Sequence, residues 1–145
     1  MRKEDIAVML RIDSIVWNEL VSLLDTHPEE SLHAPTSPKW TSQDVYAHMA
    51  RWINHSNTLI EIYCAGQALP SLETTPEEMN LLWEQEDKSI GLNNAKAKAL
   101  MAFSDRQRLI ESIPINKWDK KLEHIIRYDG ATHFAAHLNY IIIDC

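Results

Sequence analysis

The chain contains few of the residues that interrupt regular structure. Only three glycines occur among its 145 residues, and its six prolines are crowded into a few places. Between these places, apolar residues recur at three- and four-residue spacings, which is the pattern of amphipathic helices. Because glycine and proline break helices more strongly than any other residues, the sequence predicts an all-α protein.

Composition limits the class of protein further. Hydrophobic residues make up 45% of the chain and charged residues 24%, as in globular proteins, and residues 1–145 are expected to form a single domain. The formal net charge of −7 predicts no nucleic-acid partner, since such binding needs a basic surface. We also expect no membrane association, because no apolar run reaches the roughly 20 residues of a membrane span. Two cysteines without a pairing motif suggest a cytoplasmic protein.

The first predicted helix carries an acidic residue within its apolar stripe. This helix covers about residues 4–26, and its stripe includes Trp17. Asp13 lies near the centre of the stripe, where a carboxylate is costly unless it is paired or hydrogen-bonded. Two interpretations stay open. Asp13 lies where the stripe meets solvent, or it is a pocket acid or an outer-shell partner of a metal-ligating histidine.

A second helix follows the proline-rich segment His27–Lys39, which is expected to be a loop. Thr41 can serve as its N-cap, with Asp44 three residues later in an arrangement related to the capping box. Gly66 is well placed to end it. From this cap and this end, the helix is expected to run from about Thr41 to Ala65.

One face of this second helix combines histidines with apolar residues. His48, Trp52 and His55 share that face, whereas Asn57 lies largely on the opposite side. We therefore expect His48 to point toward the interior or a cleft. His55 is two turns away on that face and is expected to be a pocket or rim residue.

Three more segments complete the predicted secondary structure. A short helix begins at Pro76 and runs to about Lys88, and a long helix covers about 93–112 with Arg106 on its inner face. A final helix is expected to follow, with Asp129 as its cap. The run Leu122–Tyr128 is compatible with a short strand or an extended loop, and the sequence leaves that choice open.

The final helix places two histidines four residues apart. Residues at this spacing lie one above the other on a helix, so His133 and His137 can face a common point. Tyr140 lies on the same stripe. With seven histidines in the chain, such a spacing can arise by chance, so a metal site also requires a third ligand.

Two motifs give the chain a resemblance to a known family. Trp40-Thr-Ser-Gln-Asp-Val-Tyr-Ala-His48-Met-Ala-Arg-Trp52 resembles the Trp-(Ser/Thr)-x-x-Asp-(apolar)-x-x-His-(apolar)-x-x-Trp pattern of the DinB/YfiT-like superfamily. Thr132-His133-Phe-Ala-Ala-His137 is similar to the His-x3-His pattern of that superfamily's last helix. The resemblance covers nearly the whole chain and lies nearest to the ClbS/DfsB-type members and to DinB-like proteins without an assigned activity.

The resemblance implies an up-down-down-up four-helix bundle with one additional short helix. It also implies a divalent metal held by one histidine of the second helix and two of the last, which are His48, His133 and His137 in this chain. Three neutral imidazoles suit zinc or nickel and leave a position open for water or substrate. The alternative is a metal-free polar cavity in which these histidines hydrogen-bond to Asp13, Tyr140 or water.

Three kinds of function follow from this site. The first is a metal-dependent enzyme that activates a low-molecular-weight thiol or water against an electrophilic small molecule, as a detoxifying S-transferase or hydrolase. The second is a non-catalytic bundle that binds a ligand or a partner. The third is a metal-free hydrolase of the ClbS kind. In each case Trp17, Trp52 and Tyr140 are either core residues or the apolar lining of a pocket. The family likeness also leads us to consider a homodimer.

Overall fold

The computed structural model describes residues 1–26, 40–71 and 73–139, and within these ranges the protein is an all-α bundle, which confirms the predicted fold class. This part of the chain contains a 3-10 turn at Ile115–Lys117 and six α-helices, which are α1 (Lys3–Thr26), α2 (Ser42–Cys64), α3 (Pro76–Asp87), α4 (Leu92–Ser112), α5 (Lys120–Tyr128) and α6 (Ala131–Asn139). None of these helices combines the length and the apolar character that crossing a bilayer requires.

Two pairs of helices make the main contacts of the bundle. α2 and α4 share the most extensive interface, and α1 packs along α6. Two short helices, α3 and α5, lie against α2, whereas one additional short helix was expected. The up-down-down-up order of the bundle and the single domain spanning 1–145 stay predictions.

Local capping interactions begin and end the helices much as the sequence predicts. The backbone N–H of Thr41 donates to the Asp44 carboxylate at 3.0 Å at the start of α2. Gly66, with a φ of 75°, follows its last turn and adopts the left-handed conformation that favours glycine. At the start of α3, the Thr75 hydroxyl oxygen accepts from the Glu78 N–H at 3.2 Å. These polar groups satisfy backbone donors that have no partner within their own helices.

Residues 122–128 form a helix, so both interpretations of this run as a strand or an extended loop are wrong. Asp119 caps α5, because its carboxylate accepts from the Leu122 N–H at 2.8 Å. Leu122 and Ile126, one turn apart, are both fully buried. The N-cap and the four-residue apolar spacing were the sequence signals for this helix.

The core consists of two clusters of buried side chains. The first includes Trp17, whose ring stacks on Phe103 at 4.9 Å between centroids and packs against Phe134 at 5.0 Å. The second surrounds Ile60 and Ile110. Because burying one large apolar side chain is worth about 1.5–3 kcal/mol, these clusters are the main source of stability.

Helix α2 is rotated relative to the predicted orientation. Asn57, expected on the outer side, is 6% exposed and donates from its side-chain amide to the Ala102 carbonyl oxygen at 3.3 Å. Met49 and Ile53 are fully buried on the same side. The predicted inner face, which carries His48, therefore lies at the flank of the core rather than at its centre.

Candidate metal centre

Three histidines from two helices converge at one place in the bundle. His48 lies in the second turn of α2, and His133 and His137 lie on α6. Their candidate donor nitrogens all lie within 4.8 Å of one another. The ring centroid of His48 is 5.6 Å from that of His133 and 4.8 Å from that of His137. Tertiary structure thus brings together the three residues that the sequence predicts as ligands.

The donor spacing can be compared with the needs of a zinc ion. Nitrogens that bind zinc tetrahedrally at 2.0–2.1 Å are about 3.3–3.4 Å apart. His133 Nε2 and His137 Nε2 are 3.0 Å apart, close to that value. The full span of up to 4.8 Å for the triad is about 1.4 Å larger, a difference that rotation about side-chain bonds can close. The residues fit a divalent ion by type and position, and the common point at 2.0–2.1 Å stays a prediction.

The two α6 nitrogens also constrain the protonation of the site. Two imidazole nitrogens 3.0 Å apart repel if both present lone pairs and nothing lies between them. One of them must therefore carry a proton toward the other, or both must direct lone pairs at a shared cation. The spacing of the His133 and His137 nitrogens therefore suits either a shared proton or a shared metal ion.

A carboxylate lies beside one of the two histidines that line the cleft. Asp129 Oδ1 lies 3.1 Å from His133 Nδ1, which is within ion-pair distance but not aligned as a hydrogen bond, and Asp129 is only 4% exposed. A carboxylate on the second ring nitrogen orients a metal-ligating histidine and raises its basicity. The sequence interpretation made Asp129 the cap of the last helix, whereas in the structure it is the C-cap of α5 and α6 begins at Ala131. The four-residue spacing of Asp129, His133 and His137 was the signal for this role.

Asp13 has a different environment from either of those predicted. It is 2% exposed, so the interpretation that it lies at the solvent boundary is wrong. Its carboxylate accepts from Arg106 Nη2 and from the Ala131 N–H, each at 2.9 Å. These bonds go to α4 and to the start of α6 instead of to a ligating histidine. The physical reason is that α1 carries Asp13 beside the junction of α5 and α6.

The predicted aromatic and rim residues are divided among different environments. Trp17 is a core residue. Trp52 is buried, donates from its indole N–H to Asn80 Oδ1 at 2.6 Å, and borders the cleft beside the triad. His55 lies in a neighbouring cleft together with Trp83. Tyr140 and the predicted loop His27–Lys39 lie outside the described residues.

An open cleft of about 480 Å3 reaches two of the three histidines. His48 and His133 line it, whereas His137 is buried behind them at 5% exposure. This volume is within the range of small-molecule sites. The other lining residues come from α2, α3, α5 and α6 and the residues beside them, and they are Trp52, Pro76, Asn80, His124, Arg127, Tyr128, Asp129, Thr132 and Ala136.

Comparisons of the chain with protein-family models, with curated proteins and with solved structures found no match. The fold and the site alone therefore define the class, which is an all-α bundle with a three-histidine candidate metal centre beside an open cleft. The resemblance to the DinB/YfiT-like superfamily stays a prediction.

The Asp129 carboxylate allows a first test of the site. Replacing Asp129 with asparagine is expected to lower zinc affinity about 10- to 100-fold, the usual effect of losing such an outer carboxylate. Competition with a chromophoric chelator would measure this affinity. Asp119→Asn is the matched control, because Asp119 caps α5 and has no contact with the triad among the described residues. Equal zinc affinities for wild type and Asp129→Asn would contradict the role.

Proposed function

We propose that this protein binds a divalent metal ion and is an enzyme that activates a small thiol or a water molecule against an electrophilic small molecule. The convergence of His48, His133 and His137 beside an open cleft is the observation that supports this proposal. Three neutral nitrogen donors suit zinc or nickel, and a three-ligand protein site leaves a coordination position for a reactant.

A divalent ion held by the triad would supply Lewis acidity, which lowers the pKa of a thiol or water at the open position. The protein contributes the orientation of the donors. His137 is buried on the core side, and His48 and His133 border the cleft, so the fourth position is expected to face the cleft. Asp129, whose Oδ1 lies 3.1 Å from His133 Nδ1, would orient the ring so that Nε2 faces the ion.

The walls of the cleft indicate the kind of reactant that would bind there. Trp52, Pro76 and Tyr128 present aromatic and apolar surface, and Thr132 and Asn80 add polar groups. Mostly apolar walls with a few polar groups are typical of small-molecule sites. We therefore expect an electrophile with an apolar body to lie across these walls, with its reactive atom near the triad.

Metal analysis and an activity screen together test the proposal. Protein purified without an affinity tag is expected to contain about one zinc or nickel ion per chain by elemental analysis. A panel that pairs low-molecular-weight thiols or water with electrophiles should show turnover, which a chelator abolishes and added metal restores.

The three functions that the sequence leaves open give different results in this experiment. Absence of stoichiometric metal, with no binding when metal is added, would overturn the proposal. Metal without turnover would favour a non-catalytic ligand-binding bundle. Turnover of an electrophile by metal-free protein would favour a hydrolase of the ClbS kind.

A further inference from the structure

A buried ion pair lies beside the point where α5 ends and α6 begins. Arg106 of α4 has no exposed surface, Asp13 of α1 is 2% exposed, and Arg106 Nη2 donates to Asp13 Oδ2 at 2.9 Å. Removing two charges from water costs energy that their mutual attraction often does not recover. Stability alone is therefore a weak reason for this pair, and its other contacts suggest a different role.

Both members of the pair also bind backbone groups of the α5–α6 junction. Arg106 Nη2 donates to the Ile126 carbonyl oxygen at 2.9 Å, near the end of α5. Asp13 Oδ1 accepts from the Ala131 N–H at 2.9 Å, at the first residue of α6. That amide has no partner within its own helix. A carboxylate from α1 thus caps α6, at the end where the helix dipole favours negative charge.

Gly130 allows these groups to approach the junction closely. A β-carbon at this position would lie 2.7 Å from Arg106 Nη2 and 3.0 Å from Asp13 Oδ1. Even alanine would therefore force the junction or the ion pair to move. The glycine is needed here for space, because its φ is not positive.

We infer that the Asp13–Arg106 clamp, meaning this ion pair with its bonds to Ile126 and Ala131, positions the candidate metal centre. The clamp fixes the start of α6, and His133 lies only two residues beyond Ala131. A shift or rotation at that point displaces the donors of α6 relative to His48 on α2. The two charged residues of the clamp lie on α1 and α4, and α4 shares its most extensive interface with α2, the helix that carries His48. Asp13 and Arg106 are thus positioning residues that act through the backbone of α6.

This inference rests on the proposed metal site, and Gly130→Ala tests it because both charges of the clamp are kept. The variant is expected to bind zinc about tenfold more weakly than wild type, comparable to the loss of an outer-shell partner. In metal-free protein, the ring resonances of the two α6 histidines should also shift in NMR spectra. Ile110→Ala is the matched control, because Ile110 is buried one turn from Arg106 on α4. It should lower the unfolding midpoint but change neither zinc affinity nor these resonances.

The outcomes separate the clamp from the metal site itself. A folded Gly130→Ala protein with wild-type zinc affinity and unshifted ring resonances would overturn the inference. If Gly130→Ala does not fold, Arg106→Lys, which keeps the charge but not the planar donor group, replaces it in the same measurements with the same two expected changes. If wild type binds no zinc, the proposed function fails, and the ring resonances of the metal-free proteins still decide whether the clamp positions α6.

Discussion

Replacing His137 with alanine is expected to lower zinc affinity by more than about 100-fold, because losing only an outer-shell partner costs 10- to 100-fold. His137 is the most deeply buried of the three histidines, and its Nε2 lies 3.0 Å from His133 Nε2. Its loss removes one of three donors and leaves His133 without its nearest partner. Calorimetry or chelator competition on protein purified without an affinity tag would measure the change.

His55→Ala is the control that makes this result specific. His55 is another half-buried histidine of the bundle. It lines a neighbouring cleft together with Trp83, and none of the three triad histidines lines that cleft. Its replacement should leave zinc affinity within about twofold of wild type, because His55 supplies no donor to the triad and residues that share no partner act independently. If both variants lose zinc equally, or if His137→Ala binds as tightly as wild type, the triad is not the metal site.

Replacing Asp13 with alanine is expected to destabilise the protein by about 3–5 kcal/mol, the usual cost of removing one partner of a buried ion pair. Arg106 would keep its charge in a fully buried position, and its Nε and Nη1 already have no hydrogen-bond partner among the described residues. The Ala131 N–H would lose its acceptor as well. Urea denaturation at neutral pH, analysed as a two-state transition, would measure the loss.

A double variant separates the ion pair from the remaining effects of the substitution. Asp13→Leu combined with Arg106→Met removes both charges and is expected to recover most of the lost stability, since apolar replacement of a buried pair is often neutral or better. A deficit of about 1 kcal/mol should remain, because α6 loses its cap. Glu123→Ala, which breaks the exposed pair with Arg127, should cost no more than about 0.5 kcal/mol. A double variant as unstable as Asp13→Ala would show that charge burial is not the main cost.

Helix boundaries were predictable because short-range signals define them. The Thr41 and Asp44 cap, the Pro76 start and the Gly66 end each involve groups within about four residues of one another. Helix α5 was not predicted, although Asp119 and the spacing of its apolar residues were visible. Helix α5 has only nine residues, and several of them are charged, so its apolar stripe is short. The periodicity of such a short stripe does not distinguish a helix from a strand.

The candidate site was predictable only in part. The four-residue spacing on α6 made His133 and His137 a pair, whereas the assignment of His48 depended on a resemblance and on a bundle that brings α2 close. Arg106 was expected on an inner face and Asp13 within an apolar stripe, but nothing local indicated that they bind each other across 93 positions of the chain. Asp129 lies four residues before His133, and this spacing is visible in the sequence. It indicates a supporting carboxylate only if His133 binds a metal ion.

The sequence by itself determined the all-α class, most helix boundaries and the α6 histidine pair, because these depend on contacts within one or two helical turns. Only the tertiary structure decided which way each helix faces and which distant residues meet. Successive residues on a helix differ by about 100° in direction, so a small rotation exchanges neighbouring positions between core and surface. That rotation is set by how all the helices pack together, as the burial of Asn57 and the meeting of Asp13, Arg106 and the start of α6 show.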